Sequence, residues 1–67
     1  MLTTQQQVRR QFWLDHPSME SQARARGTKS KGQNAQVTDT RCAFVDYVDA
    51  LQRSGIITEA LAARVTL

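Results

Sequence analysis

Residues 38–67, TDTRCAFVDYVDALQRSGIITEALAARVTL, contain most of the large apolar side chains that could form a core. With a rotation of about 100° per residue, the apolar positions of the first half of this stretch fall on one face of a helix. The stripe consists of Phe44, Tyr47, Val48 and Leu51, with Val45 at its edge. The pattern predicts an amphipathic helix over residues 40–53, with Thr38 and Asp39 as N-cap candidates.

Gly55 marks the predicted end of this helix. A glycine placed after the last turn can adopt the left-handed conformation of a Schellman ending. Thr58 can then cap a second helix over residues 59–65. Because so short a helix is not stable alone in water, it must pack against the longer one. The stretch therefore predicts a helical hairpin formed by residues 40–53 and 59–65.

The N-terminal part of the chain predicts a helix over residues 3–15 that braces this hairpin. Thr4 and Gln7 have the spacing of a capping box, in which each side chain binds the other residue's backbone amide. Pro17 disfavours helical backbone in the residue before it and predicts a stop near that point. Residues 18–26 have adequate helix propensity but little to bury, so we expect at most a short second helix there.

A basic stretch follows at residues 24–36, RARGTKSKGQNAQ, where nothing is suited to a core. It contains no acid and four cationic side chains, which are Arg24, Arg26, Lys29 and Lys31. Its glycines and polar residues are typical of a mobile loop. Cations on such a loop can neutralise phosphates without sequence preference, although no aromatic residue is present for base stacking. The alternative is a solvated loop that keeps the protein soluble.

The length of the chain, 67 residues, predicts a single small all-α domain of three to four helices, because no strand alternation is present. Small scaffolds usually need a disulfide, a metal, very regular packing or a partner. One cysteine and one histidine provide neither an intramolecular disulfide nor a zinc site with its four or so ligands. We therefore predict no metal or cofactor, and expect a homo-oligomer or docking on another protein.

The distribution of apolar and charged residues bears on compartment and partner. A lone cysteine fits a reducing compartment, no apolar run approaches the roughly 20 residues that span a bilayer, and the first ten residues lack the apolar stretch of a signal peptide. We expect a cytoplasmic protein with no membrane partner. The net charge of +3 favours an acidic partner.

No catalytic constellation is recognisable. Asp46 and Asp49 share one helix face, but a solvated face gives no reason for perturbed pKa values. His16 and Cys42 have no partner pattern around them. We predict a non-enzyme in which Asp46, Asp49 and Arg53 form an outward, partner-facing side of the long helix. Trp13 is either an interface anchor, as tryptophan often is, or part of a thin core.

The helix–glycine–helix pattern also invites a helix-turn-helix interpretation. The second helix, EALAARV, offers only Glu59 and Arg64 as charged groups. It lacks the side chains that read base edges and contact phosphates. The pattern therefore favours a structural hairpin over a DNA-reading one.

The C-terminal pattern, TDTRCAFVDYVDALQRSG followed by ALAARVTL, resembles the endings of short accessory proteins of plasmids, integrative elements and phages, and RQFWLDHP near the start is similar. The resemblance covers about half of the chain. It implies a mobile genetic element, where small non-enzymatic proteins bind and disable or redirect a host complex. The leading hypothesis is an inhibitor of host defence in the style of anti-CRISPR proteins, which docks on a protein or nucleoprotein complex. The alternative is a small dimeric DNA-binding transcriptional regulator that contacts phosphates through the basic loop.

Overall fold

The computed structural model describes residues 1–67 and contains four α-helices, a 3-10 helix and no strand. In chain order these are α1 (Gln5–Asp15), α2 (Pro17–Arg26), the 3-10 helix (Gln33–Ala35), α3 (Thr38–Arg53) and α4 (Glu59–Arg64). The predicted all-α class of three to four helices is confirmed.

Helix α1 begins with the predicted capping box. Thr4 Oγ1 accepts a hydrogen bond from the backbone N–H of Gln7 at 3.2 Å, and Gln7 Oε1 accepts one from the Thr4 N–H at 3.2 Å. Thr4 itself has extended backbone angles, φ −122° and ψ 155°, so the helix starts at Gln5 rather than at residue 3. At its other end α1 stops at Asp15, close to where Pro17 predicts a stop. Pro17 is the first residue of α2, a position at which its ring is tolerated.

Helix α3 begins two residues earlier than predicted. Its N-cap position is Val37, which has no side-chain cap, so Thr38 and Asp39 lie inside the first turn and do not cap it. Asp39 still contributes there, because a carboxylate in the first turn interacts favourably with the helix dipole. At the other end, α4 stops at Arg64, since Val65 has turned to extended backbone angles.

The glycine turn between α3 and α4 is the predicted Schellman ending. The backbone N–H of Ile56 donates to the carbonyl oxygen of Leu51 at 2.9 Å, and that of Gly55 donates to Gln52 at 3.0 Å. Gly55 has a φ of +74°, which lies in the left-handed region that glycine occupies without steric cost.

The predicted basic loop, residues 24–36, starts too early. Arg24 and Arg26 belong to the last turn of α2, and the helix ends at Gly27 in a second Schellman arrangement. There the N–H of Thr28 donates to the carbonyl oxygen of Ala23 at 2.9 Å. The basic charge of the stretch is therefore divided between the end of α2 and the loop. The two arginines at the helix end are favourably placed, because cations near a helix C-terminus interact well with the helix dipole.

The loop that follows α2 is built around a buried polar side chain, contrary to the expectation that nothing in this stretch could enter the interior. Gln36 is only 6% exposed. Its Nε2 donates to the carbonyl oxygens of Thr28 at 2.6 Å and Gly32 at 3.1 Å. Buried polar side chains are normally hydrogen-bonded. The buried amide of Gln36 meets this requirement by linking the backbone of the loop at Thr28 and Gly32.

Phe12 is the centre of the core that joins α1 to α3. Its ring meets Phe44 edge-on with centroids 5.1 Å apart and Tyr47 in the same manner at 5.5 Å. The ring of His16 stacks on Phe12, with the two ring centroids 4.3 Å apart. Each such aromatic pair adds about 0.5–1.5 kcal/mol beyond its buried area, so the Phe12 ring is a principal contact between α1 and α3.

All four helices and the C-terminal tail contribute to the buried apolar cluster. Its members are Val8, Phe12, Trp13, Ala23, Phe44, Val48, Leu51, Ile57, Leu61, Val65 and Leu67. Helix α2 supplies only Ala23 in full and Met19 in part, as its composition predicts. The Cα radius of gyration is 11.4 Å, close to the value of about 11 Å for a compact chain of this length.

Candidate partner-binding groove

A groove of about 710 Å³ lies between α1, α2 and the loop that follows α2. Gln6, Arg10 and Leu14 line it from successive turns of α1, because residues four apart share a helix face. Glu20 and Arg24 line it from α2 in the same way. The groove is therefore a consequence of how these two helices pair.

Four cations and one carboxylate line the groove. The cations are Arg9, Arg10, Arg24 and Lys29, and the carboxylate is Glu20. Lys29 Nζ lies 2.7 Å from Glu20 Oε2, and Arg24 Nη2 lies 3.4 Å from the same oxygen. The hydrogen bond from Lys29 is the main reason why the pKa of Glu20 is lowered from its ordinary value. One carboxylate cannot balance four cations, so the groove has an excess of positive charge.

The two arginines on α1 differ in freedom. Arg9 donates through Nε to the carbonyl oxygen of Thr66 and through Nη2 to Gln5 Oε1, the latter at 2.8 Å. Its guanidinium therefore helps hold the C-terminal tail against α1. Arg10 is exposed and has neither a hydrogen bond nor an ion pair within the chain. Arg10 is thus the cation most available to a partner.

The apolar part of the groove has an exposed and a buried component. Leu14 is 61% exposed, whereas Trp13 beside it is 6% exposed. Trp13 packs edge-on against Phe12 with ring centroids 5.1 Å apart. The tryptophan is therefore mainly a core residue with little exposed surface in the groove, and Leu14 is the large apolar side chain that a partner can cover.

The loop wall of the groove is formed by Lys29, Ser30 and Gly32. A Cβ added at Gly32 would lie 3.8 Å from the backbone oxygen of Leu67, so the C-terminal tail passes close to this wall. Gln36 holds the same segment from the inside through its bond to the Gly32 carbonyl oxygen. The cation of Lys29 is consequently presented by a loop that is fixed at both of its sides.

The structure separates the four cations that the sequence grouped together. Arg24 and Lys29 line the groove with Trp13, whereas Arg26 and Lys31 are exposed elsewhere and do not line it. The sequence reasoning missed Arg9 and Arg10, which are distant from the basic stretch along the chain. Their helical phase was the available signal, since Arg10 and Leu14 are four residues apart.

The predicted outward face of α3 does not join the groove. Asp49 and Arg53 form an ion pair with each other, and both side chains are at least half exposed. Asp46 lines a smaller concavity of about 270 Å³ together with Arg41 and Cys42. These residues do lie on the surface, but the pairing of Asp49 with Arg53 leaves that part of the face nearly neutral.

A small titratable cluster at the end of α1 connects that helix to α3. The Tyr47 hydroxyl donates to Asp15 Oδ2 at 2.8 Å, and His16 Nδ1 lies 2.8 Å from the carbonyl oxygen of Phe12. Burial, assisted by the hydrogen bond to Asp15, raises the pKa of Tyr47 well above its ordinary value of 10.0. The hydrogen bond from Tyr47 to Asp15 therefore joins α3 to α1, whereas the contact of His16 Nδ1 lies within the end of α1.

Two further properties of the surface concern metals and membranes. No three His, Cys, Asp or Glu side chains come together in an arrangement that could hold a metal ion. None of the four helices combines the length and the apolar character needed to cross a membrane.

No protein-family model, curated protein or solved structure matches the chain.

Proposed function

We propose that the chain is a non-enzymatic binding protein that docks through its cationic groove on a larger protein or nucleoprotein complex. The observation that carries this proposal is the excess of cations around the exposed side chain of Leu14. A concave surface of one charge attracts partners of the opposite charge and accelerates their encounter. The partner surface is therefore acidic.

The non-enzymatic character is supported by how the reactive side chains are used. The Tyr47 hydroxyl donates to Asp15 and its ring meets His16 edge-on, so both contacts join α3 to the end of α1. The pKa of Tyr47 is raised, chiefly by burial, which moves it further from neutral pH. Glu20 is paired with two cations, which favours its charged form and makes it a poor proton donor. Tyr47 and Glu20 are therefore poorly suited to proton transfer at neutral pH.

The setting that we propose is the cytoplasm of a host that carries a mobile genetic element, where the protein inhibits a defence complex in the style of anti-CRISPR proteins. The resemblance of the C-terminal half to accessory proteins of such elements supports this setting. The lone, exposed Cys42 is compatible with a reducing compartment. A protein of this size can inhibit a large complex simply by covering an acidic or phosphate-rich surface.

A second candidate function is a small dimeric DNA-binding regulator. It is favoured by the convergence of Arg10, Arg24 and Lys29 on one groove, because such cations can neutralise phosphates. Helix α4 offers no support for base reading, since it has only 6 residues and one cation. This alternative predicts duplex DNA binding that weakens steeply as salt rises, and a flat gel-shift titration at low salt would remove it.

The proposal is tested by affinity capture with matched charge-reversal variants. Tagged wild-type protein is expected to retain a host complex that mass spectrometry identifies and that binds again when both components are purified. Arg10→Glu should weaken that purified interaction by about tenfold or more, because it places an acid in the groove. Arg41→Glu is the control, since Arg41 lies in the first turn of α3, where an acid is favourable. Equal binding by the two variants, with both folded by circular dichroism, would contradict the proposal.

A further inference from the structure

We infer that the groove binds an acidic, amphipathic peptide segment of a protein partner, whose carboxylates pair with the cationic rim while an apolar side chain covers Leu14. This inference rests on the proposed function and specifies the chemistry of the partner at the same site. It is carried by the juxtaposition of the free Arg10 and the exposed Leu14, which are one helical turn apart on α1.

The cationic rim is arranged to receive carboxylates one at a time. Arg10 has no partner in the chain and can form a bidentate pair with an incoming carboxylate. Across the groove, Lys29 and Arg24 share Glu20 Oε2 at 2.7 and 3.4 Å. A second carboxylate can approach Arg24, whose longer contact leaves most of its guanidinium donors unused. Acidic groups of a peptide can therefore pair with Arg10 on the α1 wall of the groove and with Arg24 on the α2 wall.

The exposed side chain of Leu14 gives the groove a property that a phosphate-binding surface does not need. It is 61% exposed and lines the groove together with the cations. A sugar-phosphate backbone has no group that is stabilised by covering it, whereas a Leu, Ile or Phe of a peptide is. Because apolar anchors surrounded by polar rims are typical of protein interfaces, Leu14 favours a protein partner.

The aromatic residues argue against nucleic acid as the occupant. Single-stranded nucleic acid is usually bound by stacking its bases on exposed rings. Phe12 and Phe44 are fully buried, and Trp13 is only 6% exposed. The groove thus lacks the stacking surface of such a site.

The loop wall is organised in advance of binding. Gln36 ties the backbone at Thr28 and Gly32, the two residues that flank Lys29 and Ser30 in the wall. A wall that is already ordered loses less conformational freedom when a peptide binds. The groove can therefore bind a short segment without a large folding step.

The inference is tested with three fluorescein-labelled probes and the 67-residue chain. The first probe is a short peptide composed of Glu and Leu, the second has Ser in place of every Leu, and the third is an oligothymidylate. Fluorescence anisotropy at low salt gives the affinities, and the emission of the sole tryptophan, Trp13, reports occupation of the groove. We expect the Glu–Leu peptide to bind about tenfold or more tightly than the Glu–Ser peptide, because it buries apolar surface on Leu14.

Two variants separate the charged and apolar contributions. Leu14→Ala should lower affinity for the Glu–Leu peptide to that of the Glu–Ser peptide and leave the latter unchanged; alanine preserves the helix because it is the best helix former. Arg10→Glu should weaken both peptides about equally. A Leu14→Ala variant that binds the Glu–Leu peptide as well as the wild type does would overturn the inference.

The remaining outcomes distinguish this inference from the proposed function. Equal affinity for the two peptides, or no binding of any probe, overturns the inference even if the captured host complex remains sensitive to Arg10→Glu. Tighter binding of the oligothymidylate than of either peptide, lost in Arg10→Glu, also overturns it but leaves docking on a nucleoprotein complex intact. Host-complex binding that is insensitive to Arg10→Glu removes the proposed function itself.

Discussion

The two halves of this small protein divide its work. The hairpin of α3 and α4, with the tail behind it, contributes seven of the eleven members of the buried cluster, and its charged pair, Asp49 and Arg53, is satisfied internally. The half formed by α2 and its following loop contributes only Ala23 to that cluster but supplies cations to the groove. The buried apolar residues are concentrated in one half, and the other half supplies part of the proposed binding surface.

Helix α1 belongs to both halves, and this is what makes so short a chain sufficient. Phe12 faces the hairpin and fills the core, whereas Arg10 and Leu14 face the groove. Residues two apart on a helix point to different sides, so one element can serve packing and recognition together. The contrast between the halves therefore becomes testable by changing α1 on one side at a time.

The largest effect is expected at the core side of α1. Replacing Phe12 with Ala should destabilise the fold by about 3–5 kcal/mol, because it removes a fully buried ring and leaves a cavity. That is comparable to the whole stability of many small domains, so we expect unfolding by circular dichroism. Leu14→Ala on the groove side is the matched control and should change urea-denaturation stability by less than about 0.5 kcal/mol. Similar losses from both variants would contradict the division of α1 into two faces.

A smaller loss of stability is expected from a change in the loop that follows α2. Gln36→Ala should cost about 1–2 kcal/mol, because it removes the amide donor to the carbonyl oxygens of Thr28 and Gly32, which then keep only the backbone donors of Lys31 and Ala35. Amide hydrogen exchange should increase in residues 28–36 more than in α3, since the core does not depend on this side chain. Asn34→Ala, at an exposed position of the same loop, is the comparison. Uniform loosening of the whole chain would show that the two halves are not separable in this way.

The joint between α1 and α3 gives an effect of about 1 kcal/mol. Tyr47→Phe removes one hydrogen bond, to Asp15, while leaving the ring in place. In the wild type the folded pKa of Tyr47 is raised, chiefly by burial. The corresponding stability is present below the unfolded pKa of about 10 and is lost as pH rises through the folded pKa.

Alkaline titration of the ultraviolet absorbance follows this single tyrosine directly. We expect little tyrosinate at pH 10.0, the ordinary pKa, while the protein is folded. Asp15→Asn should move the titration only part of the way down, because burial is the larger cause. Titration of the wild type at the ordinary value would contradict the packing of Tyr47 against Phe12.

The smallest effect is expected in the ion pairs of the groove. The lowered pKa of Glu20, caused first by the hydrogen bond from Lys29, gives stability that is present above the unfolded pKa of about 4.5 and lost as pH falls through the folded pKa. Thermal unfolding of Glu20→Gln should therefore depend less on pH in the acidic range than unfolding of the wild type. An unchanged acid profile would indicate that Lys29 is not held against Glu20.

The sequence predicted the parts of the fold that depend on local rules. The capping box at Thr4, the Schellman ending at Gly55 and the apolar stripe of α3 each involve residues within one or two turns. Their hydrogen bonds and phases are determined by neighbouring residues. The same rules were available at Gly27, but the surrounding charges suggested a loop and concealed the helix end.

The groove could not be predicted in the same way, because it joins residues from separate elements. Arg10 meets Arg24 and Lys29 only after α1 and α2 have paired, and the sequence contains no local sign of that pairing. The inward direction of Gln36 was also hidden, since a polar side chain is normally expected outside. Charge counted along the chain therefore placed Arg26 and Lys31 in the site and left Arg10 out.

Measurement of partner affinity for Arg10→Glu and Arg26→Glu side by side tests the central claim most directly. Both arginines are exposed and lie in helices, but Arg10 lines the groove and Arg26 does not. A groove that binds the partner predicts about a tenfold or greater loss for Arg10→Glu and, at most, about a twofold loss for Arg26→Glu, since a charge outside the contact acts only at long range. An equal or larger loss for Arg26→Glu would contradict the groove and return the site to the basic stretch of the sequence.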